Sequence, residues 1–416
     1  MLTDKLEKAN KTLGRIKDSD IFKNSIYITL ATLSNAGFGF LFWVAAAQFY
    51  SDSEVGVATA IISSFTLIVM FARLGLHQSI IRYFPDRDQH DVFTSSIIAS
   101  LVVTLGLGVL FIPLTQFITP AYNLSIVEYS GVLFVVFLLS SSAEGILGRS
   151  LLALKRGKNY FVQKLLLGLK IAFVIVFSVI PSAFVIFAAW GTSFLVSNLY
   201  SLYQLRKNGV WISKVNMNYL KDSFNYSWMN YLISLFLSSP NHILPIIVVG
   251  IVGPESAAYY YISHRIAQFG FTIPLSFSVS MFVEGSHGSD LKKDLKKATA
   301  TSASVLSIFV LVIVVFGNDI LNVIGESYTE GYQVMVLMTL SGFFIMGYRF
   351  FLSIQRVQKK LHWALLITGL LCISLISTSI VLIQMVGIVG VGYAWLLSYG
   401  LANGAILFYV AIVAKN

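Results

Sequence analysis

The chain reads as an all-α integral membrane protein, with about twelve transmembrane helices in two parallel six-helix repeats around a central cleft. Composition predicts the membrane: 56% of the 416 residues are hydrophobic and 12% charged, with mean hydropathy +0.78. Soluble domains do not reach those values. Run length predicts helices, because the apolar stretches are about 20 residues or longer, enough to cross a bilayer. The short alternating strands of a membrane barrel are absent. An internal repeat predicts the two-lobed plan. Leu147-Gly148-Arg149 through Lys155-Arg156 aligns with Gly347-Tyr348-Arg349 through Gln355-Arg356. Ala189-Trp190 and Asn198 align with Ala394-Trp395 and Asn403, and Asp20, Phe22 and Ser25 with Asp222, Phe224 and Ser227. Weak symmetry in an apolar chain marks a transporter built from duplicated bundles.

In order, the spans are 22–49, 54–80, 92–118, 127–153, 161–181 and 183–205, then 224–250, 255–283, 295–317, 330–355, 361–385 and 388–413. The fifth and sixth are separated mainly by Pro181. Residues 1–21 form a polar N-terminal segment in which Leu2, Leu6, Leu13 and Ile16 have the spacing of an interfacial helix; a frayed basic tail is the alternative. It is too polar for a secretory signal. The N-lobe covers 22–205, a linker 206–221, and the C-lobe 222–416. Six spans per half make both halves begin on the same side, so the repeats are parallel.

Lys and Arg collect in the N-terminal segment and in alternate loops: Arg82 and Arg87; Arg156 and Lys158; Arg206, Lys207 and Lys214; Lys292 to Lys297; Arg356 and Lys360. The intervening loops carry none. The positive-inside rule then predicts a multi-pass cytoplasmic-membrane protein with both termini in the cytoplasm. The net charge of +10 follows from that topology and from attraction to membrane lipid headgroups, so no nucleic-acid partner is implied. The single cysteine, Cys372, lies inside a span, which excludes a disulfide framework and a thiol metal site. No Walker loop, HExxH, paired carboxylate motif or Cys/His cluster occurs. The chain therefore reads as a non-enzyme without cofactor or metal.

Polar residues within spans show which helix faces avoid lipid. The second span carries Thr59, Ser63, Thr66 and Arg73 at helical spacing; the eighth carries Tyr261, Arg265, Gln268, Thr272 and Ser276. The repeat superposes these stripes, which therefore face one aqueous cleft or else pack helix on helix. Arg265 is the sharpest signal. It lies about ten residues below one end of its span, so ~15 Å deep at 1.5 Å per residue, where a charge costs roughly 2.5–3.5 kcal/mol on insertion scales. It needs water, an anionic ligand, an ion pair with Glu144, or carbonyl partners. Guanidinium suits phosphate because its planar donors pair with phosphate oxygens.

Arg73, near the loop end of its span, extends the basic lining or simply snorkels. Arg149 and Arg349 recur at matching repeat positions, which favours a shared structural role. Ser238-Ser239-Pro240-Asn241-His242, with Pro245, is expected to interrupt the seventh span, and Pro274 to bend the eighth. Such breaks serve as hinges or as ligand sites. Asn241 and His242 are candidate cavity groups, and His242 is either a structural imidazole or a carrier of a coupling proton.

Several stretches resemble the polysaccharide (O-antigen type) flippases of the multidrug/oligosaccharidyl-lipid/polysaccharide exporter superfamily. They are Phe40-Leu41-Phe42-Trp43-Val44-Ala45-Ala46-Ala47, Ser53-Glu54-Val55-Gly56, Arg73-Leu74-Gly75-Leu76 and Ile80-Ile81-Arg82-Tyr83-Phe84-Pro85. Val252-Gly253-Pro254-Glu255 and Val386-Gly387 through Ala394-Trp395 continue the pattern in the C-lobe. The resemblance implies alternating access and transfer of a polyprenyl-diphosphate-linked oligosaccharide across the cytoplasmic membrane for cell-surface polysaccharide biosynthesis. It implies that Arg265, at a matching position, holds the diphosphate. The reading of the residues themselves adds Arg73 for phosphate, Tyr261, Gln268, Asn241, His242 and Thr272 as cavity groups, and Pro240, Pro245 and Pro274 as hinges. The expected partners are the lipid-linked oligosaccharide and membrane lipid, with a polysaccharide polymerase and glycosyltransferases alongside, around a monomer. The rival readings are a cation-coupled drug or metabolite exporter, with Glu144 as the ion-coupling carboxylate, and a membrane-embedded glycosyl or acyl transferase.

Overall fold

The computed structural model describes residues 20–118, 129–286, 291–358 and 360–412. Fourteen helices and no strand are present among them. The expected N-terminal interfacial helix lies outside the described residues.

In the first half, α1 (Asp20–Phe49) is the first span. The second is α2 (Asp52–Ala72), continued by the short α3 (Leu76–Tyr83). Then come α4 (Gln89–Ile118) and α5 (Tyr129–Ala153), α6 (Gly157–Leu166) with α7 (Leu169–Val176) as the fifth span, and α8 (Ala183–Lys207). The second half holds α9 (Met217–Val252), α10 (Pro254–Ser286), α11 (Leu291–Ile324), α12 (Tyr332–Val357), α13 (Leu361–Val386) and α14 (Val389–Ile412). Among the described residues, eleven helical stretches are long and apolar enough to cross a membrane. α10, 33 residues long, carries the polar stripe that includes Arg265.

Two features depart from the expected spans. The second span is broken: Leu74 (φ 47°) and Gly75 (φ 73°) both enter the left-handed region, which ends α2 and leaves Arg73 as its C-terminal cap. The seventh span, expected to be interrupted, is continuous. Pro240 and Pro245 lie inside α9, as Pro274 lies inside α10. Proline removes one backbone hydrogen bond per site but does not end the helix here; beside Pro240, Ser239 Oγ donates to the Leu235 carbonyl at 2.7 Å.

The repeat is visible in the packing. α5 lies on α8 as α12 lies on α14, α1 on α6 as α9 on α13, and α4 on α5 as α11 on α12. Between lobes, α2 packs along both α9 and α10. The α2–α10 seam is tightest where α2 begins. Gly56 meets Pro254 so closely that an added Cβ would sit 1.7 Å from the Pro254 carbonyl oxygen. Beside it the Tyr259 hydroxyl donates to Asp52 Oδ2 at 2.9 Å. The start of α2 is fixed by a capping box, with Ser51 N–H donating to Glu54 at 2.9 Å and Glu54 N–H donating to Ser51 Oγ at 3.3 Å.

At the opposite end, the linker is strapped to the N-lobe. Ser213 N–H donates to Thr94 Oγ1 and Asn216 N–H to Ser95 Oγ, both at 2.7 Å. Trp211 stacks on His90 with ring centres 4.1 Å apart. Tyr219, in the first turn of α9, is buried with Leu76, Ile80, Phe84 and Val92 of the N-lobe. Burial raises its phenol above the usual tyrosine value, so it stays neutral and hydrogen-bonds Ser96 at 2.8 Å. Arg87 pairs with Asp222 at 2.6 Å. The beginning of α9 is thus held by the N-lobe, while its later turns pack on α13 of the C-lobe.

Candidate functional site

Between the lobes lies a cavity of about 320 Å³. Its walls come from α1, α2, α7 and α8 on one side and α9 and α10 on the other. The polar stripes of the second and eighth spans both reach it, through Ser63 and Thr66 on α2 and through Tyr261, Arg265, Gln268 and Thr272 on α10. His242 of α9 lines it too. Ser63 is 1% exposed and its hydroxyl has no partner, so it faces the cavity with unused hydrogen-bonding capacity.

Arg265 is held by its own helix. Its guanidinium donates to the Tyr261 hydroxyl one turn away and to Gln268 Oε1 at 3.1 Å. It also stands 4.7 Å from the centre of the Tyr261 ring, a cation–π arrangement. The i, i+3 and i, i+4 spacing of these three residues puts them on one face. Trp43 of α1 packs edge-on against Tyr261, with ring centres 4.7 Å apart. The guanidinium Nε remains buried without a partner.

A second cation completes the site, and the reading of the spans missed it. Lys170 lies on α7, just past the turn at Gly168, and is 7% exposed. Its ammonium faces the same cavity, 6.0 Å from the centre of the Phe42 ring. The signal was present: an ionisable residue well inside an apolar span calls for the same explanation as Arg265. Neither Lys170 nor Arg265 has a carboxylate partner among the described residues, and no Asp or Glu lines the cavity. Two cations thus come from opposite lobes to one cavity, an arrangement electrostatically complementary to an anion.

The other expected site residues lie elsewhere. Arg73 does not line the cavity. Its guanidinium donates to the Ser141 carbonyl at 3.0 Å and lies against Gly145 of α5, because the break at Leu74–Gly75 turns it into the N-lobe. Asn241 is on α9 beside His242 but is not part of the lining. Glu144 is neither an ion-pair partner for Arg265 nor a free carboxylate. Lys164 of α6 takes it in a buried pair, with side chains 7% and 14% exposed for Glu144 and Lys164. The Gln163 amide donates to the Glu144 carbonyl at 3.2 Å. No cluster of three or more metal-ligating side chains occurs among the described residues.

Among solved structures the fold recurs at low identity. An inward-facing multidrug resistance MATE family transporter of the MOP superfamily is 16% identical, with TM-score 0.71, covering 93% of this chain and 94% of that one. The lipid II flippase MurJ, in an inward closed conformation, is also 16% identical, with TM-score 0.71 over 93% of this chain and 87% of that one. An outward-facing MATE family transporter gives 0.60 at 18% identity over 95% of each chain. No curated protein sequence matches the chain. Residues 21–283, which include α1 to α9 and the Arg265 face of α10, match the family described as polysaccharide biosynthesis protein, and the chain belongs to that family.

Proposed function

We propose that this protein moves a polyprenyl-diphosphate-linked oligosaccharide, of the O-antigen type, across the cytoplasmic membrane by alternating access. The observation that carries this reading is the pair of cations, Arg265 from the C-lobe and Lys170 from the N-lobe, facing one cavity with no acid in its lining. A diphosphate between them would neutralise both and draw the lobes together, so the cargo itself would favour the closed intermediate. Ser63, Thr66, Gln268 and Thr272 would hydrogen-bond sugar hydroxyls. Trp43, Trp190 and Phe269 in the same lining offer the apolar faces on which sugar rings stack. The prenyl tail would stay in lipid.

The family membership and the fold shared with MurJ support the reading. Basic alternate loops support both termini on the cytoplasmic side. Pro240, Pro245 and Pro274 would let α9 and α10 flex without breaking; glycosyltransferases would act before the transfer step and a polymerase after it. The MATE fold also hosts drug export, but a cavity lined by two uncompensated cations repels cationic drugs. The test is complementation. Cells carrying Arg265→Ala or Lys170→Ala, with normal protein levels, should lose surface glycan; undiminished glycan in both would overturn the proposal.

A further inference from the structure

Behind Arg265, inside the C-lobe, lies a second polar group that the cavity description does not use. His264 is 1% exposed. Its ring stacks on Tyr260 at 5.7 Å with an interplanar angle of 3°, and Trp395 of α14 lies 5.5 Å away on a tilt. Three polar atoms in this trio, His264 Nδ1, the Tyr260 hydroxyl and Trp395 Nε1, are buried without partners. Buried polar atoms are rarely left so, and a cluster of them marks unspent binding capacity.

The other ring nitrogen has one partner. His264 Nε2 meets the Gln268 amide nitrogen at 3.2 Å, while Gln268 Oε1 accepts from Arg265 at 3.1 Å. In this arrangement the amide donates to a neutral imidazole and accepts from the guanidinium. An imidazolium has donors on both nitrogens and no acceptor. It therefore needs Gln268 Oε1, which Arg265 now holds. A proton on His264 would turn the amide and release the Arg265 donor into the cavity.

The geometry points to His264 as a proton-binding site coupled through Gln268 to anion binding at Arg265, so that a proton and the diphosphate favour each other. This inference rests on the anion-binding reading of the cavity. The charged and titratable groups facing His264 are Tyr260 and Arg265 on its own helix and His242 on α9, with Tyr399 behind Trp395 on α14. Tyr348 of α12 stands beyond Tyr399 at 6.0 Å, and the turn Glu326–Gly331, packed on α10, brings Tyr328 against Tyr259. Arg265 repels an imidazolium while the cavity is empty, and a bound anion removes that repulsion, so linkage works in both directions.

The probe is inorganic pyrophosphate, titrated calorimetrically into the full-length protein in lipid nanodiscs at stepped pH values from about 7 down to about 5, crossing to the acid side of the ordinary imidazole value. Two buffers of different ionisation heat report the protons taken up. Wild type should take up more protons per pyrophosphate than His264→Gln, and His242→Gln should keep that excess. Between acid and alkaline buffer, wild-type affinity should change by roughly tenfold more than that of His264→Gln. Equal uptake in wild type and His264→Gln, with binding intact, overturns this inference alone. Loss of the excess in His242→Gln instead also overturns it. No pyrophosphate binding by wild type overturns the cavity reading with it. Should His264→Gln not fold, imidazole nitrogen NMR of the wild type and His242→Gln must show a histidine gaining a proton on pyrophosphate addition; no such change sinks the proposal.

Discussion

Gly56→Ala should push the lobes apart at the seam where α2 begins. The added Cβ would sit 1.7 Å from the Pro254 carbonyl oxygen, against at least 3.4 Å for ordinary contact. The three nearest atoms are all Pro254 backbone, so no side chain can swing away. The seam must open by a displacement comparable to the difference between those two distances, or strain must spread along α2 and α10. Overpacking of this kind costs about 1–3 kcal/mol, here charged to the closed seam alone. That shifts the open-to-closed ratio roughly 5- to 150-fold. Spin labels on the half-buried Ser53 position and near Ile251 would report the separation by pulsed electron resonance in nanodiscs. The distance distribution should move to a longer population in Gly56→Ala. An unchanged distribution in a stable variant would refute the claim that this contact holds the seam shut.

Glu144→Gln should lower thermal stability strongly, by about 3–5 kcal/mol, because it leaves Lys164 buried and unpaired; Glu144→Gln with Lys164→Met should recover much of that in the same melt. Asp222→Asn, which breaks the half-exposed pair with Arg87, should cost about 0–1 kcal/mol, and a drop matching Glu144→Gln would contradict the burial argument. Gly75→Ala, at φ 73°, should cost about 1–2 kcal/mol, measured by melting, since the turn that aims Arg73 into the N-lobe requires the left-handed region. Tyr261→Phe should weaken pyrophosphate binding severalfold while leaving the fold intact, because the lost hydroxyl is a partner of Arg265.

Much of this architecture is legible in the sequence because lipid leaves few choices: long apolar runs must be helices, and a basic bias sets their order. The repeat and the two polar stripes follow from residue types at helical spacing. What escapes is what depends on partners distant in the chain. Arg73 and Glu144 stand at similar depths in the sequence pattern. Only the turn at Leu74–Gly75 and the approach of Lys164 decide that both belong to the N-lobe interior. The prolines of α9 predict a break, yet the helix continues through both. Lys170 was overlooked because it follows Gly168 in a short, strongly apolar segment, although its charge obeyed the same rule that singled out Arg265. His264, one residue before Arg265, faces the other way around the helix into the C-lobe, and only its orphaned neighbours give it a role.

The central claim is that cations from both lobes hold the diphosphate of the cargo. Its most direct test is translocation in vesicles containing the purified protein and a fluorescent polyprenyl-diphosphate oligosaccharide, read by quenching from outside. Wild type should move the lipid across the bilayer. Arg265→Ala and Lys170→Ala should each slow it at least about tenfold, the scale of losing one partner of a charge-assisted pair, and the double variant should abolish it. Transfer at the wild-type rate by the double variant would contradict the claim.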